Sequence, residues 1–496
     1  MPPNIVGSDE LIEGATVTTQ AAAKTTPTTS ANNALSDGLA HLRAVAEQQP
    51  NPSLNTRLGW LQALKQHIQA QQHTLAAALN QDYGQRPTLE TQLADTLPVL
   101  QQLNYCHRKL KRWMKPSRRH VGLALWPANA QVTYQPKGVV GIMVPWNFPL
   151  MLSVGPLINA LAAGNRVMIK LSELTPQFNQ VLTDLLHTAL GPDVVHVFSG
   201  DVEQAKRFAG LPFDHLLFTG STQVGQQVMA AAAPNLTPVT LELGGKSPVI
   251  ITDDCPMALA VKRIAAGKCL NSGQICVAPD YVLCPDHRLS EFVEAFLQHI
   301  QQRYPDGLAS ADLAAIISPQ HLQRLQQLLA DAEAKGATVQ TPSSSAIDVS
   351  KRLMLLHLVT GVNDNMRLMQ EELFGPILPV LGYQHLSQAV RDINQRPRPL
   401  ALYVMGLNST QQQLILQQTC SGGAALNETL LQVGVDDAPF GGIGPSGMGH
   451  YHGHEGFLTF SHARTVLRRG RFSTASLLQP PYNRWWQKLL LRFLMR

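Results

Sequence analysis

Two groups able to do covalent chemistry stand near the middle of the chain. Glu242 lies in Leu241-Glu242-Leu243-Gly244-Gly245-Lys246, and Cys276 ends Asn271-Ser272-Gly273-Gln274-Ile275-Cys276. Each reads as part of a Gly-flanked loop. A thiol adds to a carbonyl carbon, and a carboxylate then activates water against the resulting thioester. Such a reaction also needs an oxyanion donor and a hydride acceptor.

Four further strings carry matching chemistry. Pro145-Trp146-Asn147-Phe148-Pro149 follows an apolar run and offers an amide to a developing oxyanion. It also reads as a Pro-bounded turn with a helix-capping Asn. Phe218-Thr219-Gly220-Ser221-Thr222-Gln223-Val224-Gly225 runs from a strand into a helix whose free N–H groups favour phosphate. Thr222 replaces the middle glycine of a G-x-G-x-x-G turn, which keeps the backbone from closing on a pyrophosphate. Taken alone, the string reads first as an ordinary strand–turn–helix. Lys170-Leu171-Ser172-Glu173 sets a cation and an acid where they could hold two ribose hydroxyls, or form a solvated pair. In Glu371-Glu372-Leu373-Phe374-Gly375-Pro376 a carboxylate stands two residues from a ring, suited to a second ribose and a nicotinamide, or to a surface Glu and a core Phe.

The elements that must position these groups follow from periodicity. Residues 36–114 are helical in spacing, with Leu61, Leu64, Ile68 and Leu75 on one stripe and Pro116 ending the region. Residues 121–134 alternate and read as a hairpin leaving the main body. From Lys137, apolar β-branched runs at 138–144, 166–170, 194–198 and 215–218 alternate with helical segments near 150–163, 176–190 and 201–209. A second alternation runs from Gly244 to about Gly442, with strands near 248–252, 280–284, 377–382 and 401–405 and helices near 256–268, 287–303 and 319–335. Residues 341–347, with three consecutive serines, read as a surface loop. The pattern predicts an α/β protein. It has two doubly wound, Rossmann-like domains and a small β bridging or oligomerisation element. Residues 36–115 and 137–243 form a cofactor domain and 244–442 a catalytic domain. Residues 116–136 and 443–470 form the bridge, and 1–35, rich in Thr, Ala and Ser, a disordered tail.

Composition closes several other routes. At 496 residues the chain is long enough for two or three domains. The net charge of +5 is modest, and no Lys/Arg run interleaves with aromatics, so no nucleic-acid partner is expected. The six cysteines include no C-x-x-C and no zinc spacing, so no metal is expected and the thiols read as free in a reducing compartment. The N-terminus lacks the charged and apolar regions of a secretory signal, and no stretch of 18 uncharged apolar residues occurs. A cytoplasmic protein is expected. Residues 471–496 form a basic amphipathic tail. Arg484, Lys488, Arg492 and Arg496 recur every four residues among Trp485, Trp486, Leu489, Leu490 and Phe493. Over 480–496 this fits a helix lying in a membrane surface, or one docked on its own subunit or a dimer partner.

Taken together and in this order, the strings resemble the NAD(P)-dependent aldehyde dehydrogenase superfamily, from about residue 40 to about 468. Pro439-Phe440-Gly441-Gly442-Ile443-Gly444-Pro445-Ser446-Gly447-Met448-Gly449, continuing into Tyr451-His452-Gly453, and Ala278-Pro279-Asp280-Tyr281 resemble its class III branch, which includes fatty, aromatic and coniferyl aldehyde enzymes. The resemblance implies Cys276 as nucleophile, Glu242 as general base, and Asn147 with the Cys276 N–H as oxyanion hole. It implies Lys170 and Glu173 on the adenine ribose, and Gly220, Ser221, Val224 and Gly225 along the pyrophosphate and adenine. Glu372 and Phe374 would hold the nicotinamide ribose and ring, and Trp146 would line the cleft. Leu171 departs from the family's usual Pro after this Lys. Glu173 favours NAD by repelling a 2′-phosphate, while the branch also accepts NADP. A homodimer acting on a small-molecule aldehyde is implied. A non-catalytic binding relative and a thiol esterase are the competing readings.

Overall fold

The computed structural model describes residues 28–122, 125–471, 479–482 and 484–495. Its first sheet has six strands in the order Gly447–Met448, Val239–Leu243, His215–Gly220, Val139–Met143, Arg166–Lys170 and Val195–Phe198. All are parallel except Gly447–Met448. The Val139–Met143 and Arg166–Lys170 strands are buried throughout, as parallel strands covered by helices must be. From Val139–Met143 the chain first winds outward through two strands, then returns to the other side of that strand with His215–Gly220. Such a reversal opens a crevice beyond the strands' carboxyl ends. Pro145-Trp146-Asn147 and Gly220-Ser221 leave the sheet at that end.

Helix Leu54–Tyr83 buries Leu61, Leu64, Ile68 and Leu75 together, the stripe its sequence predicts. Ser53 caps its first turn, and Gly84 at φ 80° takes the left-handed position that ends it. Helix Pro149–Ala163 follows Asn147 directly. It is buried on almost every side, so its apolar residues carry no amphipathic stripe.

The second sheet has seven strands: Thr338–Gln340, His357–Thr360, Ile377–Tyr383, Tyr281–Pro285, Pro248–Ile251, Ala401–Met405 and Gly423–Leu426. Only the Thr338–Gln340 edge is antiparallel. A third, antiparallel sheet joins Ser117–Arg119, Asn129–Pro136 and Ser461–Arg468. The α/β class and two parallel sheets agree with the sequence reading.

Several boundaries differ from expectation. Helix Thr28–Gln48 begins inside the stretch expected to be a tail, because Leu35, Leu39 and Leu42 have a sheet face to bury against. Residues 1–27 lie outside the described residues. The hairpin expected over 121–134 is displaced outward, to strands at 117–119 and 129–136. Gly447–Met448 joins the six-stranded sheet, so only the later part of 443–470 reaches the three-stranded sheet. Glu242 sits in a strand and not in a loop, since Val239–Leu243 pairs along His215–Gly220 before the chain turns at Gly244.

Candidate active site

The Cys276 loop is the most distorted backbone near the crevice. Asn271, Ser272 and Gly273 take positive φ in succession, at 48°, 50° and 72°. Such strain persists only where surroundings over-determine it. Here the Gln274 side chain donates to Asn271 O at 3.0 Å and Ala315 O at 3.1 Å, and its Oε1 accepts from Ile317 N at 3.0 Å. Gly273 packs so closely that a Cβ would come within 2.6 Å of Gly375 O. The Asn-Ser-Gly-Gln string therefore builds a rigid elbow that presents Cys276.

Asn147 is held from behind. Its Nδ2 donates to Gln274 O at 3.2 Å, which ties it to the same elbow. Its carbonyl accepts from Arg86 Nη1 at 2.7 Å and from Asn271 Nδ2 at 3.3 Å. Arg86 is fully buried, with Glu90 3.8 Å from its Nε and the Tyr83 and Phe148 rings beneath its guanidinium. None of this support was read from the sequence. Arg86 and Glu90 precede the motifs by some fifty residues and look like surface charges on a helix.

A cavity of about 1100 Å³ is lined from both sheets, and its wall includes Asn147, Glu242, Cys276, Trp146, Glu372 and Phe374, along with Gly220 and Ser221. Trp146 meets Phe374 edge-on at 5.4 Å and His321 at 5.2 Å between ring centroids. Glu372 lies against Gly244, where a Cβ would fall 1.9 Å from its Oε2. Lys246 binds Asp280 and donates to Leu368 O at 2.7 Å and Glu371 O at 3.0 Å. Asp280 accepts from Leu373 N at 2.9 Å. Lys246 and Asp280 thus pin the Glu372–Phe374 segment. Both sit inside quoted motifs, so the signal was present without a role attached.

Four expected cofactor residues are off this wall. Lys170, the last residue of the Arg166–Lys170 strand, pairs with Glu173 at 3.2 Å. Val224 is 42 % exposed on helix Thr222–Ala232. Gly225 faces inward, where a Cβ would meet Leu243 at 2.6 Å, so it serves close helix–strand packing. Ser221 caps that helix, and Thr222 Oγ1 donates to Pro445 O at 2.9 Å.

The electrostatics are those of a withheld reaction. Burial pushes the Cys276 thiol up to about 12, with Glu372 and Glu242 adding to the shift. Cys276 therefore rests as a thiol. Glu242 is 3 % exposed, neither carboxylate oxygen has a protein partner, and burial holds its pKa well above the carboxylate range. Glu372 is pushed up to about 8, first by burial and then by Asp280. Tyr451, buried nearby, feels the charges of both Glu242 and Cys276. Beneath the site, burial lowers Lys268 to about 8 and leaves its Nζ without a hydrogen-bond partner.

A strained thiol, a buried unpartnered acid and an amide facing one crevice at a doubly wound sheet define a class. The chain belongs to the aldehyde dehydrogenase family, whose sequence profile matches residues 11–466. It is an aldehyde dehydrogenase, an enzyme that oxidises aldehydes to acids. Its relatives include a probable coniferyl aldehyde dehydrogenase of Pseudomonas aeruginosa, 51 % identical over 94 % of this chain and 97 % of that protein. A dimeric NADP-preferring aldehyde dehydrogenase of the dog is 36 % identical over 89 % of this chain and 96 % of that one. Among solved structures, the substrate-bound state of Staphylococcus aureus AldH superposes with a TM-score of 0.88 at 33 % identity, covering 92 % of this chain and 99 % of that one.

Proposed function

We propose that the enzyme oxidises an aromatic aldehyde such as coniferyl aldehyde, or a medium- or long-chain aliphatic one, to its acid. The cofactor is NAD, with NADP also accepted. The observation that carries this reading is a cavity whose wall holds Cys276, Glu242 and Asn147 together. A dinucleotide fits the residues present. The cavity reaches the N-terminal end of helix Thr222–Ala232, and Gly244 leaves the space into which the Glu372 carboxylate settles. When bound, the oxidised nicotinamide supplies a hydride acceptor and a positive charge.

In this reading the Cys276 Sγ–H proton passes to solvent water in the cavity and Sγ adds to the aldehyde carbon. The new alkoxide is held by Asn147 Nδ2 and the Cys276 N–H, with Nδ2 turning from Gln274 O. After oxidation the acyl group remains on Sγ as a thioester. Glu242, once deprotonated, takes a proton from water, and the hydroxide cleaves the thioester to acid and free thiol. Glu372 and Phe374 hold the nicotinamide ribose and ring, while Trp146 shapes the cleft. Lys170 and Glu173 take the adenine ribose, and Gly220, Ser221, Val224 and Gly225 shape the strand–helix turn near the phosphates. Thr222 keeps the cofactor loosely held.

Residues 36–115 and 137–243 act as the cofactor domain and 244–442 as the catalytic domain. The open edge strand Ser461–Arg468 suits pairing in a homodimer. The tail helix Trp485–Leu494 exposes Trp485, Leu489 and Phe493, which suits peripheral contact with a membrane from the cytoplasmic side. No helix among the described residues is long and apolar enough to cross one.

A panel of short and long aliphatic aldehydes, benzaldehyde and coniferaldehyde, each with both cofactors, tests the substrate assignment by NADH or NADPH absorbance. Cys276→Ala should leave less than about a hundredth of wild-type turnover. Retained turnover above that removes the nucleophile assignment. A thiol esterase or a non-catalytic relative would form no reduced cofactor.

A further inference from the structure

Charge is unevenly placed along the chain. Residues 107–136 and 456–496 hold 15 of the 39 Lys and Arg and none of the 34 Asp and Glu. The rest of the chain therefore carries 24 cations against 34 acids. These two segments are the ones that meet in the three-stranded sheet. Arg118 and Val466 both lie opposite Gln131, and Arg464 and Arg468 flank Val466 two residues to either side. Side chains alternate along a strand, so Arg118, Arg464 and Arg468 share one face. The other face, through Tyr134, meets Phe457 of the core. All three arginines are exposed, and none has a carboxylate within ion-pair distance among the described residues.

We propose that this cationic sheet face is a docking surface for an anionic lipid bilayer. It rests on the reading of the tail as a membrane-surface helix and adds a second contact that the tail does not contain. The same strand that carries Arg464 and Arg468 leads on to helix Trp485–Leu494. There Trp485, Leu489 and Phe493 recur every four residues and are 77 %, 60 % and 68 % exposed. Arg484, Lys488 and Arg492 form the adjoining stripe. Cations beside an exposed aromatic and aliphatic stripe match a headgroup layer over acyl chains. Arg464 and Arg468 stand about 13 Å apart along the strand, so the face engages several headgroups. A second copy pairing on the open strand edge would use backbone groups and leave this face free.

The test is flotation of the full-length enzyme with phosphatidylcholine vesicles and with vesicles holding about 30 % phosphatidylglycerol. Binding to the anionic vesicles alone, weakening as salt is raised, is expected. Arg118→Ser, Arg464→Ser and Arg468→Ser combined should weaken it about a hundredfold, roughly fivefold per residue, with NADH formation from aldehyde unchanged. Lysine at the three positions should restore it. A separate chain carrying Trp485→Ser, Leu489→Ser and Phe493→Ser tests the tail. If that chain still floats while the arginine variant does not, the tail reading fails and the face stands. Flotation of the arginine variant equal to wild type overturns the proposal. So does wild type that stays off anionic vesicles, whether it retains duplex DNA instead or the arginine variant alone loses its oligomeric state.

Discussion

On the proposed mechanism, replacing Glu242 with Gln isolates the last chemical step. Neither carboxylate oxygen has a hydrogen-bond partner in the protein, so the amide forfeits no contact. The site is 3 % exposed and Gln nearly matches Glu in volume, so packing is kept. What is lost is a base. General-base assistance contributes typically 10²–10⁴-fold, so thioester hydrolysis should slow by about that factor. Thiol addition and oxidation do not use Glu242 and should proceed. Rapid mixing of enzyme, cofactor and aldehyde should then show a burst of about one NADH per active site, followed by a steady rate at least about a hundredfold below wild type. The pH dependence follows from the upward shift of Glu242. In wild type the base form is scarce at acid pH, so hydrolysis should climb about tenfold per pH unit until the raised pKa is reached. In the Gln variant that climb should vanish. Stability carries the same sign. A carboxyl whose folded pKa is raised is buried without penalty while protonated, and that stability is lost as pH rises through the folded value. Glu242→Gln should therefore melt like wild type at low pH and above it at high pH. A variant that keeps steady turnover within about tenfold of wild type, with the wild-type pH profile, would refute the assignment.

Asn147→Ala should lower kcat by about 10²–10³, the usual effect of one oxyanion donor, while cofactor affinity measured by fluorescence titration stays near wild type. Gly273→Ala meets a left-handed φ of 72° and the Gly375 carbonyl at 2.6 Å. It should cost more than about 1–3 kcal/mol in urea unfolding and displace Cys276, with activity falling alongside. Glu173→Gln should raise the NADP-to-NAD ratio of kcat/KM by roughly fivefold, from removing one solvent-exposed like charge near a 2′-phosphate.

The strands and helices that carry the motifs were legible because apolar β-branched runs and 3.6-residue stripes are local signals. Cys276, Glu242 and Asn147 were legible as chemical types, since a thiol, an acid and an amide each appear at a loop or strand end. Their supports were not. Arg86 reaches Asn147 across 61 residues of sequence, and nothing in its neighbourhood marks it as buried. The Val239–Leu243 strand carries little local signal because it is short and runs straight into two glycines. Short edge strands such as Thr338–Gln340 and Gly423–Leu426 depend on partners far along the chain. Lys170 and Glu173 were found as a pair, but their place off the cavity wall comes from where the sheet ends. The thiol's protonated state follows from burial between two acids, which spacing alone does not report.

Glu242 ends a strand of one sheet, whereas Cys276 is presented by an elbow that feeds the other. Glu242 and Cys276 therefore hang from two different sheets, joined by one apolar core. A shear of the two sheets by about an ångström would separate them while leaving every strand intact, and displacement on that scale is enough to cost about a hundredfold in rate. On heating, catalytic activity should then fade before far-ultraviolet circular dichroism changes, with the seam between the sheets giving way first.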